Sequence, residues 1–131
     1  MAIQFNHTIV YSHDSRESAE FWADILGLEV SPNFGRFVPV KVANGITFDF
    51  ADVSSDVTEI QRAHYAFLVS EQDFDSGFAK IKEKNLSYWA DPRQQYPGEI
   101  NHNDGGRGVY FLDPSGHALE MLTVPYGGWP A

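Results

Sequence analysis

At 131 residues the chain is long enough for one real hydrophobic core and too short for two independent ones, so a single domain spanning 1–131 is expected. A formal net charge of −9 argues against nucleic acid, which needs a basic footprint, and against anionic membrane surfaces. No apolar run reaches membrane-spanning length, and the absence of Cys rules out disulfides and thiolate ligands but says nothing of redox compartment; with no secretion pattern in the first residues, the cytoplasm is the default expectation.

Phe5 to Tyr11 alternates as a strand, with Phe5, His7 and Ile9 on one face. Asp14-Ser-Arg-Glu17 has the form of a capping box and opens a helix whose Ala19, Trp22, Ile25 and Leu26 share an apolar stripe, with Gly27 as its stop. Phe37 to Val42 and Ile46 to Phe50 read as strands around the hairpin signal Asn44-Gly45, and Pro39 puts the first of them at a sheet edge or bulge. Asp52 to Arg62 is polar and reads as a linker.

The pattern then restarts. His64 to Ser70 is a predicted strand, Asp73 to Lys84 a helix with Phe74, Phe78 and Ile81 on its stripe, and Leu86 to Ala90 a further strand. A Gly-rich loop follows, then a hairpin in which Arg107 to Leu112 and the strand beginning at Ala118 flank the turn Asp113-Pro-Ser-Gly116. Each half is therefore strand, helix and several strands. The expected fold is α+β, with two βαβββ modules (about 1–55 and about 62–125) forming curved mixed sheets around a metal and substrate cleft.

The duplication extends to chemistry. His7 and His64 open the two halves. Asp49 follows the turn glycine Gly45 by four residues, and Glu120 follows Gly116 by the same four. Taken alone, Glu120 reads as a residue on a solvated face. In the run Ala118-Leu-Glu-Met-Leu122, however, a buried carboxylate needs a partner or a metal. Strand parity sets Asp49 on the face opposite Phe48 and Phe50. Two imidazoles and two carboxylates in equivalent positions suit a divalent ion such as Fe(II), Mn, Ni, Co or Zn, and two His with one carboxylate is a non-haem iron pattern. The hairpin also brings Tyr110 near Glu120 and leaves His102 at the mouth of the Gly-rich loop.

These residues resemble the vicinal oxygen chelate superfamily, which includes glyoxalase I, fosfomycin-resistance proteins, bleomycin-binding proteins and extradiol dioxygenases. The resemblance covers essentially the whole chain and implies His7, His64 and Glu120 as metal ligands, with Fe(II) favoured and Mn, Ni or Zn as alternatives. The run Ile100 to Glu120 is similar to the extradiol signature (His, Tyr, Asp-Pro-x-Gly, Glu), which implies that His102 and Tyr110 hydrogen-bond to substrate; Asp49 is the candidate base. The chain departs from that pattern where Asp49 stands near the place of a further acid-base His, and Arg107 is the one basic residue inside the motif. The resemblance implies a small-molecule substrate with neighbouring oxygens and a homodimer, with modules paired within or across chains. The leading expectation is dioxygenase-like chemistry. The alternatives are a glyoxalase-like lyase or isomerase, and a protein that sequesters an antibiotic or aromatic ligand without turnover.

Weaker signals remain. Asp104-Gly-Gly-Arg-Gly108 lacks the Gly-Lys-Ser/Thr ending of a phosphate cradle and reads as a flexible rim loop. His13 and His117 read as solvated. Trp89, Tyr96 and Trp129 are candidates for an aromatic wall, with core packing and tail anchoring as the simpler readings.

Overall fold

The structure, a computed structural model, describes residues 2–128; Trp129 lies outside the described residues. The described residues divide into two compact units that part between Gln61 and Arg62, and the break falls within the polar stretch predicted as a linker.

The first unit holds strand β1 (His7–Ser12), helix α1 (Ser15–Leu26), β2 (Val38–Lys41) and β3 (Thr47–Asp52). Its sheet has the order β1-β3-β2, with β1 parallel and β2 antiparallel to the central β3. β2 is therefore an edge strand, as Pro39 required, and only an isolated Val30–Val40 bridge stands where the module has its fourth strand. α1 starts where the Asp14 side chain accepts the Glu17 N–H at 3.1 Å and ends at Gly27, whose φ of 70° suits a residue without Cβ. The Asp52 carboxylate accepts the Ser15 N–H at 2.7 Å, a negative charge on the positive end of the helix. Trp22 is fully buried and packs on Phe48 and Phe50 with ring centroids 5.3 and 4.9 Å apart. The aromatics of β3 thus face the helix, which turns Asp49 to the other face.

The second unit contains β4 (His64–Leu68), α2 (Glu71–Glu83), β5 (Tyr88–Trp89), β6 (Gly108–Leu112) and β7 (Ala118–Leu122), a full βαβββ set. The sheet order is β4-β7-β6-β5, with β4 parallel to β7 and the other pairs antiparallel. Val109, Phe111, Leu119 and Met121 share one buried face, and Phe74 and Ile81 of α2 are buried as well. α2 begins two residues before its expected start, because Ser70 rather than a later residue caps it by accepting the Asp73 N–H at 3.0 Å. Asp113 sets the β6–β7 turn, its side chain accepting the N–H groups of Ser115 and His117 at 2.9 Å each.

Two expectations are corrected. His117 is not solvated but 2% exposed: its Nδ1 accepts the Ala63 N–H at 3.0 Å and its ring meets Tyr65 edge-on. The glycines at 106 and 108 do not make a flexible rim. Both are buried, and a Cβ at Gly106 would stand 2.6 Å from Thr123 Oγ1 and 2.7 Å from Val124 Cγ2. Their role is close backbone approach.

Candidate metal centre and substrate groove

The second unit builds its site on the face of the sheet away from Leu119 and Met121. In the ladder Glu120 of the inner strand β7 stands opposite Tyr110 of β6 and Ala66 of β4, and His64 opens β4 two residues earlier on the same face. Glu120 is 1% exposed, whereas the His64 side chain is 48% exposed. The imidazole Nε2 lies 3.1 Å from Glu120 Oε1, and the rings of His64 and Tyr110 stack with centroids 6.0 Å apart.

Hydrogen-bond directions here follow from what each atom can do. His64 Nδ1 lies 3.1 Å from the Ala118 carbonyl oxygen, which only accepts, so Nδ1 carries a proton. In the neutral ring Nε2 then presents a lone pair to the carboxylate. Two acceptors at that distance need a cation between them, either a proton or a metal ion. An imidazole whose other nitrogen donates to a carbonyl is the usual arrangement of a metal ligand. The imidazole nitrogen and carboxylate oxygen of this pair therefore fit a divalent ion, and Glu120 is the buried carboxylate that required a partner.

The other carboxylate oxygen is also engaged. Glu120 Oε2 accepts the Tyr126 hydroxyl at 2.6 Å, and the hydroxyls of Tyr126 and Tyr110 are 2.9 Å apart. Since the single Tyr126 proton goes to the carboxylate, Tyr110 is the donor in the second bond. Burial pushes the Tyr126 phenol far above its ordinary value, and its bonds to Glu120 and Tyr110 push it further. Burial also raises Tyr110, against a lowering from its bond to Tyr126. Both stay neutral donors at physiological pH. Tyr126 was missed at the level of sequence: an aromatic hydroxyl shortly after a strand carboxylate, in a Pro- and Gly-containing tail, is a faint signal.

In the first unit His7 is exposed, with Nδ1 held 2.7 Å from Asn6 Oδ1, so that Nε2 is left for another partner. In the β1–β3 ladder His7 pairs with Thr47 and Ile9 with Asp49, which puts His7 and Asp49 on one face. They line a groove of about 540 Å³ with Lys41, Pro39, Phe34 and Phe37, a size suited to a small ligand. His102 is exposed at the start of the short turn Asn103–Gly105, and none of the bonds of the Glu120 cluster involves it. Trp89 and Tyr96 lie in and beside β5, Tyr96 being exposed. Among the described residues no group of three or more His, Asp or Glu is placed to hold a metal ion. The structure thus brings together His64 with Glu120 and Tyr110, and His7 with Asp49.

Comparisons with known proteins agree with this architecture. A solved structure named oxidase ChaP-H2 is 59% identical and superposes with a TM-score of 0.93, covering 98% of each chain. Oxidase ChaP-H1 is 52% identical with a TM-score of 0.92, over 97% of this chain and all of its own. A curated relative, the glutathione transferase FosA of Serratia marcescens, is 26% identical over 92% of this chain and 81% of its own length. Residues 4–121 match the model of the Glyoxalase/Bleomycin resistance protein/Dioxygenase superfamily, and that match runs through both units. The chain belongs to the glyoxalase/bleomycin resistance/dioxygenase superfamily.

Proposed function

We propose that the protein is a divalent-metal-dependent enzyme that oxidises a small aromatic substrate with neighbouring oxygens, with dioxygenase-like chemistry and with His64, Glu120 and a His7 supplied within the chain or by a partner chain as the metal ligands. The observation that carries this reading is the 3.1 Å approach of His64 Nε2 to the buried Glu120 carboxylate, with Nδ1 already committed to a carbonyl. As a purely structural device such a pair is weak, because Glu120 loses its hydration while the half-exposed His64 returns little attraction; as a pair of ligands it is well made. The 59% identity to a protein named as an oxidase supports redox chemistry over the transfer named for FosA at 26%. Fe(II) suits this donor set best, and Mn, Ni or Zn accept the same donors.

When bound, the ion supplies Lewis acidity toward a chelated hydroxyl and, as Fe(II), a route to reaction with oxygen. The chain's own residues do the rest. Asp49 in the groove is the base that takes the substrate hydroxyl proton, and Phe34 and Phe37 offer flat faces for an aromatic ring. Tyr110 and His102 orient the substrate by hydrogen bonds. β1 and β4 each stand at the edge of their sheet, which supports assembly as a homodimer that covers those edges.

The test is anaerobic Fe(II) reconstitution followed by oxygen uptake on a panel of catechols, beside a hemithioacetal assay with Ni or Zn. Oxygen uptake that requires both Fe(II) and a catechol is the expected result. Hemithioacetal turnover without oxygen would replace this reading with a lyase. Ligand binding that survives complete metal removal, with no product, would replace it with sequestration.

A further inference from the structure

We infer that Tyr126 is a positioning residue for the Glu120 carboxylate: its hydroxyl holds Oε2 and so keeps Oε1 turned to His64 Nε2. The inference rests on the proposed metal centre and extends it to a residue outside the expected ligand set.

A glutamate has three side-chain torsions, and the last is broad, so burial of its stem does not by itself fix the plane of the carboxylate. Here the stem is held in the central strand, with Ala66 and Tyr110 on either side in the ladder. The two oxygens are engaged separately: Oε1 lies 3.1 Å from His64 Nε2, where a proton or a metal ion joins them, and Oε2 accepts the 2.6 Å bond from Tyr126. Tyr126 is fixed in turn. Tyr110 donates to its oxygen at 2.9 Å, and the turn that carries it is closed by the Gly128 N–H donating to the Pro125 carbonyl at 2.8 Å. Gly127 and Gly128 have φ of 78° and 71°, a backbone course that side chains other than glycine disfavour. The residue itself is 55% exposed, so its place does not come from deep burial of the ring. Its hydroxyl is the part in contact with the site. The tail after β7 thus delivers one proton donor to the buried carboxylate, and Tyr110 backs it, in the order Tyr110 to Tyr126 to Glu120.

Outer partners of this kind typically change metal affinity by about 10- to 100-fold. The experiment compares wild type, Tyr126→Phe and Tyr110→Phe by calorimetric titration of the metal-free protein with Mn(II), by the visible spectrum of the Co(II)-loaded protein, and by crystal structures of the metal-free forms. Tyr126→Phe should bind Mn(II) about 10- to 100-fold more weakly, with an altered Co(II) spectrum and a thermal midpoint close to wild type. Tyr110→Phe should show a smaller change of the same kind, because it acts through Tyr126. In the metal-free crystals the Glu120 carboxylate should turn or split into two orientations in Tyr126→Phe. Unchanged affinity and spectrum in Tyr126→Phe would overturn the inference, as would an unmoved carboxylate. A wild-type protein that binds no divalent ion would overturn the metal centre instead, and the crystal comparison would still decide whether Tyr126 sets the carboxylate.

Discussion

His64 and Glu120 face each other with Nε2 and Oε1 3.1 Å apart, one side chain half exposed and the other buried. The open side gives an ion access, and the buried side gives it a fixed carboxylate. Protein purified without chelator should carry a divalent ion that is lost in His64→Ala and Glu120→Ala, with affinity at least about 100-fold weaker in each. Chelation should lower the thermal midpoint of wild type, since an ion at 100 times its Kd adds about 2.7 kcal/mol to the folded state. Elemental analysis and calorimetry check both. Near-zero stoichiometry in wild type after reconstitution with Fe, Mn, Ni and Zn would remove the centre.

Alkaline stability should depend on three phenols. Burial raises Tyr65, aided by the charge of Asp113; burial also raises Tyr110; and burial with the bond to Glu120 raises Tyr126. A folded value above the unfolded one, about 10, means that the unfolded chain loses its proton first as pH rises. The stabilisation is therefore complete below about pH 10 and is lost as the pH climbs toward the folded values. Urea midpoints should fall from about pH 9 to about pH 11, and less steeply in Tyr126→Phe, which has no proton to lose. Equal slopes in the two proteins would contradict this.

The core of the first unit hinges on Trp22, fully buried between α1 and the aromatics of β3. Trp22→Ala should destabilise by about 3–5 kcal/mol, from lost burial and the cavity left behind. Trp22→Phe keeps much of the volume and should cost less. Denaturant unfolding followed by circular dichroism measures the two.

Gly106 meets Thr123 and Val124 at distances no Cβ tolerates. Gly106→Ala should cost about 1–3 kcal/mol by forcing these neighbours apart. Gly105→Ala is instructive beside it: no atom lies within 4 Å of its added Cβ, but its φ of 81° strains an L residue. If Gly106→Ala were neutral, the loop would be the flexible rim its composition suggests.

The edge strands predict assembly. Light scattering should give a dimer at working concentrations, and a Lys placed at the exposed Leu68 in β4 should weaken it. A monomer at every concentration would reject the homodimer.

Much of this was readable without coordinates, because it depends on near neighbours. The capping Asp14, the stop at Gly27, Pro39 at an edge, and the turn at Asp113 are local chemistry, and each element lies where that chemistry puts it within a few residues. Strand parity likewise foretold that Phe48 and Phe50 would share a face and Asp49 would take the other. The Tyr110–Glu120 pairing followed from the length of one turn. What only the tertiary structure decided involves approaches between segments whose spacing carries no period. His117 looked solvated beside its turn but is buried because the Ala63 backbone donates to it from a distant segment. Gly106 and Gly108 looked flexible but are small because Thr123, Val124 and Asn101 press on them. Tyr126 left almost no mark in the sequence, since its importance comes from the segment after β7, where a turn closed between Pro125 and Gly128 carries one hydroxyl that reaches a buried carboxylate. Periodicity reports which face a residue takes; it does not report which remote atom arrives there, and hydrogen bonds are decided by that arrival.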